Sequence, residues 1–489
     1  MISAVLAIAL GAAAPAAAPA AAPAPASQPA SAEASSEPVM SQAELELRLD
    51  RAIETLLGKE HAPAAIALHF VYKAMAEDEL KRDVAQYYLA EALRELGYTQ
   101  AAVEHYIDVV TSRRAPDMVS RALTALDGLA RRGLVEEGRL IDDVLFGAQY
   151  GELEKTTQGF VEYYQALGEL RRGYGNWGEQ RLEALFAGDN HYSYAARYAL
   201  GVGRMQQDNA EGAEKLFVAL IEDKKTPQKV KNDCRTAMGR LRYEQKRFDE
   251  AFDFYSQVDS PPSQQAAVLA EKAWSKVASE DEQRALGMTV GLGAPIYRKA
   301  FAPERELIRA LSLNRLCQFR AAHRSVLQFR DKYADLLKGI RERTPLAEMP
   351  LLVEVALSRE EIREIVRIYE RTKKEKDELG AIVDKALRGH LQAMYDTRGA
   401  LLERKRDRKL EGLLERTADD LLSVDEQMGI LDYEIGIGLF KRIGSRAARA
   451  ELDTTPPADS SKAYFKFTGE YWSDELRDFA VLTNDRCVR

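Results

Sequence analysis

From Ser41 onward apolar residues return at helical spacing, and no convincing two-residue alternation appears before the last forty residues. The stretch QKRFDEAFDFY, Gln245 to Tyr255, is typical: Phe248, Ala251, Phe252, Phe254 and Tyr255, then Val258, fall on one side of a helix. Small and large residues also recur at fixed offsets. Met238-Gly239 precedes Ala251, and Tyr255 follows it. Leu89-Ala90, Gly97, Ala102 and Tyr106 keep the same order, as do Leu200-Gly201, Ala213 and Phe217. Looser matches centre on Gly138, Gln180 and Ala285, and a better one on Ala322. The centres 102, 138, 180, 213, 251, 285 and 322 lie 36, 42, 33, 38, 34 and 37 residues apart, and Ala65 extends the ladder by one. Such a period describes two antiparallel helices per unit. Small residues let the helices approach, and large ones fill the space between neighbouring units.

This pattern resembles the tetratricopeptide-repeat family from about Ser41 to Leu336. The resemblance implies an all-α superhelix of about eight helix pairs, residues 41–340, with an open groove lined by the first helix of each pair. In register, the groove candidates are Tyr87, Glu91, Arg94, Glu169, Arg172, Tyr198, Met205, Arg240 and Tyr243; aromatic and Arg side chains are common binding anchors. The family's Lys and Asn clamp for a terminal carboxylate is replaced by Glu91, Glu169, Val202 and Arg240, so that ligand is not expected.

Three glycines, two prolines and a β-branched residue interrupt the period over 285–303, which reads as an inserted loop or distorted hairpin. Residues 358–444 keep helical spacing with charges of both signs on the outer faces, as a long helical hairpin or coiled bundle does. The basic run Lys405–Lys409 reads as a solvated helix surface. The apolar GIGLFKRIG, Gly436 to Gly444, reads as a last turn packed on the bundle, with partner docking or a membrane surface as the alternatives. Residues 451–489 form a linker and an aromatic tail with Tyr464, Phe465, Phe467, Tyr471, Trp472 and Phe479, expected to fold back as a cap.

Net charge is −8 over 489 residues without a basic stripe, which argues against a nucleic-acid partner. Residues 1–26 resemble a secretory signal and 27–40 an Ala/Pro/Ser linker; no later run is apolar enough to span a membrane. The expected location is therefore periplasmic, or cytoplasmic if the leader is not functional. Six scattered His make no metal motif, and no nucleophile elbow or phosphate loop is present, so neither an enzyme nor a cofactor is expected. Of Cys234, Cys317 and Cys487, the last two have room to bridge, and a Cys317–Cys487 staple is expected against the alternative of three thiols.

The segment APERELIRALSLNRLCQFRAAHRSVLQFRDKY, followed by long helices and FTGEYWSDELRDF, also resembles exported tetratricopeptide proteins of myxobacteria, some of them in gliding-motility complexes of the envelope. That implies a scaffold binding other envelope proteins. Other readings are a scaffold for outer-membrane assembly or secretion, and a cytosolic regulatory module attached to an enzyme.

Overall fold

The computed structural model describes residues 40–259, 261–297, 301–441, 469–471 and 479–487. The leader, the linker and Tyr464, Phe465, Phe467 and Trp472 lie outside them. Within the described residues there are nineteen α-helices and no strands, so the fold is all-α.

The chain divides into two compact units. The first runs through Tyr192 and takes in Arg367–Leu402. It holds α1 (Gln42–Leu57) with α2 (His61–Ala74), α3 (Leu80–Glu95) with α4 (Thr99–Ser112), and α5 (Pro116–Ala130) with the single turn α6 (Glu137–Arg139), which continues as a π turn over Leu140–Val144. Then α7 (Lys155–Arg171) pairs with α8 (Gly175–Ala184). The second unit, Ser193–Val366 and residues from Glu403 on, pairs α9 (His191–Gln206) with α10 (Ala210–Glu222) and α11 (Gln228–Glu244) with α12 (Phe248–Ser256). It continues with α13 (Pro262–Ala278) and α14 (Glu282–Gly291), then α15 (Glu304–Arg315) and α16 (Phe319–Arg341), and α17 (Pro350–Ser358). Two further helices, α18 (Glu360–Asp377) and α19 (Lys385–Lys441), contribute to both units.

Every pair turns in the same way. One residue between its two helices has a positive φ: Lys59, Gly97, Gly133, Gly173, Asp208, Lys246, Glu280 and Cys317, successive ones 34 to 40 positions apart. The next residue's N–H reaches back to the helix, as in Tyr98 to the Leu93 carbonyl (2.9 Å), Arg247 to Arg242 (2.9 Å) and Gln318 to Leu313 (2.8 Å). This closure satisfies carbonyls that the helix end leaves without partners. The helix starts are secured too. Ser41 and Glu44 form a capping box, and Pro116, Pro262 and Pro350 stand in first turns where no N–H is needed.

Tight packing explains the small residues. Ala65, Ala102, Ala213, Ala251, Ala285 and Ala322 are all fully buried. A Cβ on Gly201 would meet the Phe217 ring at 2.5 Å, and one on Gly239 the Tyr255 ring at 2.5 Å. Gly239→Ala is therefore expected to cost about 1–3 kcal/mol by overpacking. Gly429→Ala, on an exposed face of α19 with nothing within 4 Å, should gain about 0.5–1 kcal/mol. Denaturant midpoints of the two variants check the contrast.

Three expectations need correction. Gly138 is not a packing centre, since nothing lies near its Cβ position and the second helix of that pair is reduced to a turn. Gln180 is exposed, and the small residue of α8 is Gly178, whose Cβ would meet Leu170 at 2.7 Å. Of the glycine-rich stretch 285–303 expected as an inserted loop, the part through Gly291 is instead the second helix of a pair, α14, and the connection to α15 follows it. Gly287 has another purpose: a Cβ there would overlap the Phe479 carbonyl, because the C-terminal segment crosses α14 at that point. Val481 N–H donates to the Gln283 carbonyl (2.9 Å), and Arg486 N–H to the Leu316 carbonyl (3.0 Å). The Gln318 amide reaches Thr483 Oγ1 at 2.7 Å. Tyr471 and Phe479 close a cluster with Leu269, Met288 and Ile308. Cys317 and Cys487 are joined by a disulfide, and Cys234 is a free, buried thiol.

Candidate protein-binding surfaces

The nine groove candidates divide between the units: Tyr87, Glu91, Arg94, Glu169 and Arg172 in the first, Tyr198, Met205, Arg240 and Tyr243 in the second. Most are engaged inside the protein. Tyr87 is buried, its ring 5.9 Å from that of Tyr106. Glu91 accepts from the Tyr106 hydroxyl at 2.5 Å and from Arg94 at 2.8 Å. Burial, then the Glu91 carboxylate, pushes the Tyr106 phenol up from its ordinary value, so it stays a hydrogen-bond donor. Glu169 takes a two-pronged contact from Arg181, and Arg172 donates to the Asp142 carbonyl at 3.0 Å while its guanidinium lies 3.7 Å over the Phe146 ring.

In the second unit Arg240 forks onto Glu271 of α13 at 3.0 and 2.6 Å. Tyr198 packs on Phe217 with ring centroids 5.9 Å apart, and Tyr243 on Phe248 at 5.2 Å. Met205 is half-buried near the end of α9. Apart from Arg94, whose ion pairs lie within α3, and Met205, these residues tie one element to another. Their type and spacing follow from the repeat itself, so the sequence register found them without separating structural from exposed groups.

Other apolar groups are open. Tyr174, just before α8, stacks on Trp177 of α8 at 6.3 Å, and Trp177 lines a cleft with Glu162, Gln180, Arg181 and Ala184. On α19 a stripe of Ile430, Tyr433, Ile437 and Phe440 faces outward, Phe440 with 74% of its surface exposed. The opposite face of α19 is held within the second unit. Asp432 meets His323 at 2.7 Å and Arg330 at 2.9 Å, Asp425 meets Arg341, and Gly438 lies under the Phe319 ring. The expectation that GIGLFKRIG packs on the bundle therefore holds for Gly438 but not for Ile437 or Phe440, and Arg442, Ile443 and Gly444 lie outside the described residues. The missed signal was the 3-4-3 spacing of 430, 433, 437 and 440, the spacing of a coiled-coil seam, on the face opposite the buried Met428, Leu431 and Ile435.

Among the described residues no three His, Cys, Asp or Glu side chains are arranged to hold a metal, and no helix is long and apolar enough to cross a membrane. No protein-family model matches this chain, and no curated protein matches it.

Proposed function

We propose that this chain is a non-enzymatic scaffold of the bacterial cell envelope, acting on the periplasmic side to gather protein components of a trans-envelope machine, of which a gliding-motility complex is the narrowest version. The observation that carries the compartment is the disulfide between Cys317 and Cys487, because such bonds persist where the surroundings are oxidising. Repeated helix pairs support the scaffold part of the reading, since stacked pairs offer long surfaces without needing a pocket. The partner it fits is an amphipathic helix of another envelope protein, laid along the α19 stripe by the same heptad spacing.

A reporter that works only outside the cytoplasm, fused after Glu37, should be active; a reporter made in full but inactive would return the chain to the regulatory-module reading. A photo-crosslinker in place of Phe440 should capture a discrete envelope protein in cells, and the capture should fall about tenfold or more when Ile437 becomes Asp. Tyr198 and Arg240 are poorer probes, because replacing them disturbs helix packing as well as surface.

A further inference from the structure

Three of the chain's six histidines meet inside the first unit, each from a different helix. The ring of His390 on α19 lies 5.0 Å from that of His69 on α2 and 5.4 Å from that of His105 on α4, with interplanar angles of 32° and 35°. Tyr72 closes the group, 5.8 Å from His105 and 6.0 Å from His390. All three Nε2 atoms are buried and without a hydrogen-bond partner. The Gln86 amide donates to His105 Nδ1 at 3.2 Å and to Asp108 at 3.0 Å. With Nδ1 accepting, the proton of His105 sits on the partnerless Nε2.

The surroundings favour neutral rings. Lys73 of α2 repels a charge on any of the three, and Asp384, just before α19, is the carboxylate that acts on His69. Arg82 of α3 lies 4.8 Å over the Tyr72 ring. On α4, Asp108 is bonded to Gln86, and Glu104 is held by Arg139 and Arg398. Buried polar atoms without partners are rare in native proteins, and a cluster of them marks a place where something costly is retained.

We propose that this imidazole cluster is an acid-operated latch: neutral, it lets the first part of α19, residues 385–402, seat on α2 and α4, and protonated, it releases that segment from the N-terminal helix pairs. Burial is the main cause that lowers all three imidazoles, His390 to about 4, with Lys73 adding to it. A released imidazole titrates near its ordinary value of about 6.5. The released state therefore takes up protons first, and the seated state is fully favoured above that pH and loses its advantage as the pH falls toward 4. Asp108 works the other way, because burial raises its carboxyl to about 6 and the seated state binds that proton. Glu375 on α18, raised by burial and accepting from the Tyr395 hydroxyl, acts as Asp108 does. Three uptakes against one or two leave the release constant rising about ten- to a hundredfold per pH unit between 6 and 4.

The test uses the full chain with labelled histidine, titrated by NMR from pH 8 to 4.5, with hydrogen exchange of 385–402 corrected for intrinsic rates. The three cluster imidazoles should remain neutral at pH 5.5, and protection of 385–402 should fall about tenfold or more per unit below pH 6 while that of 413–435 holds. His390→Gln should flatten the fall. Three imidazoles titrating as exposed ones do while 385–402 stays protected, or protection independent of pH, would overturn the latch. So would stoichiometric zinc shifting all three resonances at neutral pH, which would make the cluster a metal site. The wild-type titration decides even if the variant does not fold.

Discussion

Removing the Cys317–Cys487 bridge is expected to lower the stability of the second unit by about 5 kcal/mol, the closure entropy of a loop this long. The two cysteines are 170 positions apart in sequence, so the unfolded chain gains much freedom when the bond is cut. The segment that crosses α14 should loosen with it, since its backbone bonds to Gln283 and Leu316 are few and lie close to the bridge. Two variants separate bridge from backbone. Cys317 occupies the left-handed turn between α15 and α16, with φ 55°, a conformation that costs a non-glycine residue about 1–2 kcal/mol. Cys317→Gly should therefore lose about 1 kcal/mol less than Cys487→Ser, which keeps the strained residue. Guanidinium unfolding with and without reductant measures both. A wild-type transition indifferent to reductant would show that the staple contributes nothing.

Arg398→Ala should cost about 3 kcal/mol in the first unit, on the scale found when one member of a buried ion pair is deleted. Its side chain is 9% exposed and joins Glu136 at 2.8 Å and Glu104 at 3.3 Å, while Arg139 also pairs with Glu104. Arg398 stands on α19, so its loss strikes the attachment of that helix to α4 and to the start of α6. Lysine should recover only part, since one ammonium cannot match the planar fork that spans two carboxylates. Thermal unfolding of the two variants reads the difference. Equal melting temperatures for alanine and wild type would mean that packing of Leu387, Leu391 and Tyr395 alone seats this part of α19.

The helical period, the pairing and the bulky partner of each small residue were legible in the chain, because Gly201 with Phe217 and Gly239 with Tyr255 are imposed by contact between backbones. The timing of the turns was less legible. Gly97, Gly133 and Gly173 are visible marks, but Lys59, Asp208, Lys246, Glu280 and Cys317 adopt the same left-handed turn with side chains that give no sign of it. The centres at Gly138 and Gln180 were misplaced even though Gly133 and Gly173 mark those turns, because α6 is a single turn and the packed small residue of α8 is Gly178. Gly287 looked like a helix breaker because its reason lies nearly two hundred residues away, in the segment that crosses it. The surface was hardest to read. Glu91, Glu169 and Arg240 fit a groove in register, yet whether such a residue faces a partner or a neighbouring helix depends on tertiary contacts that spacing does not encode.

The buried thiol of Cys234 bears on the order in which the protein matures. Held inside α11, its sulfur is pushed up to about 12, where almost no thiolate forms to attack a disulfide. Before α11 packs, that protection is absent, and Cys234 lies closer along the chain to Cys317 than Cys487 does. Oxidation that outpaces packing would then favour the shorter, wrong crosslink, so correct yield should rise when oxidant is withheld until the helices have formed.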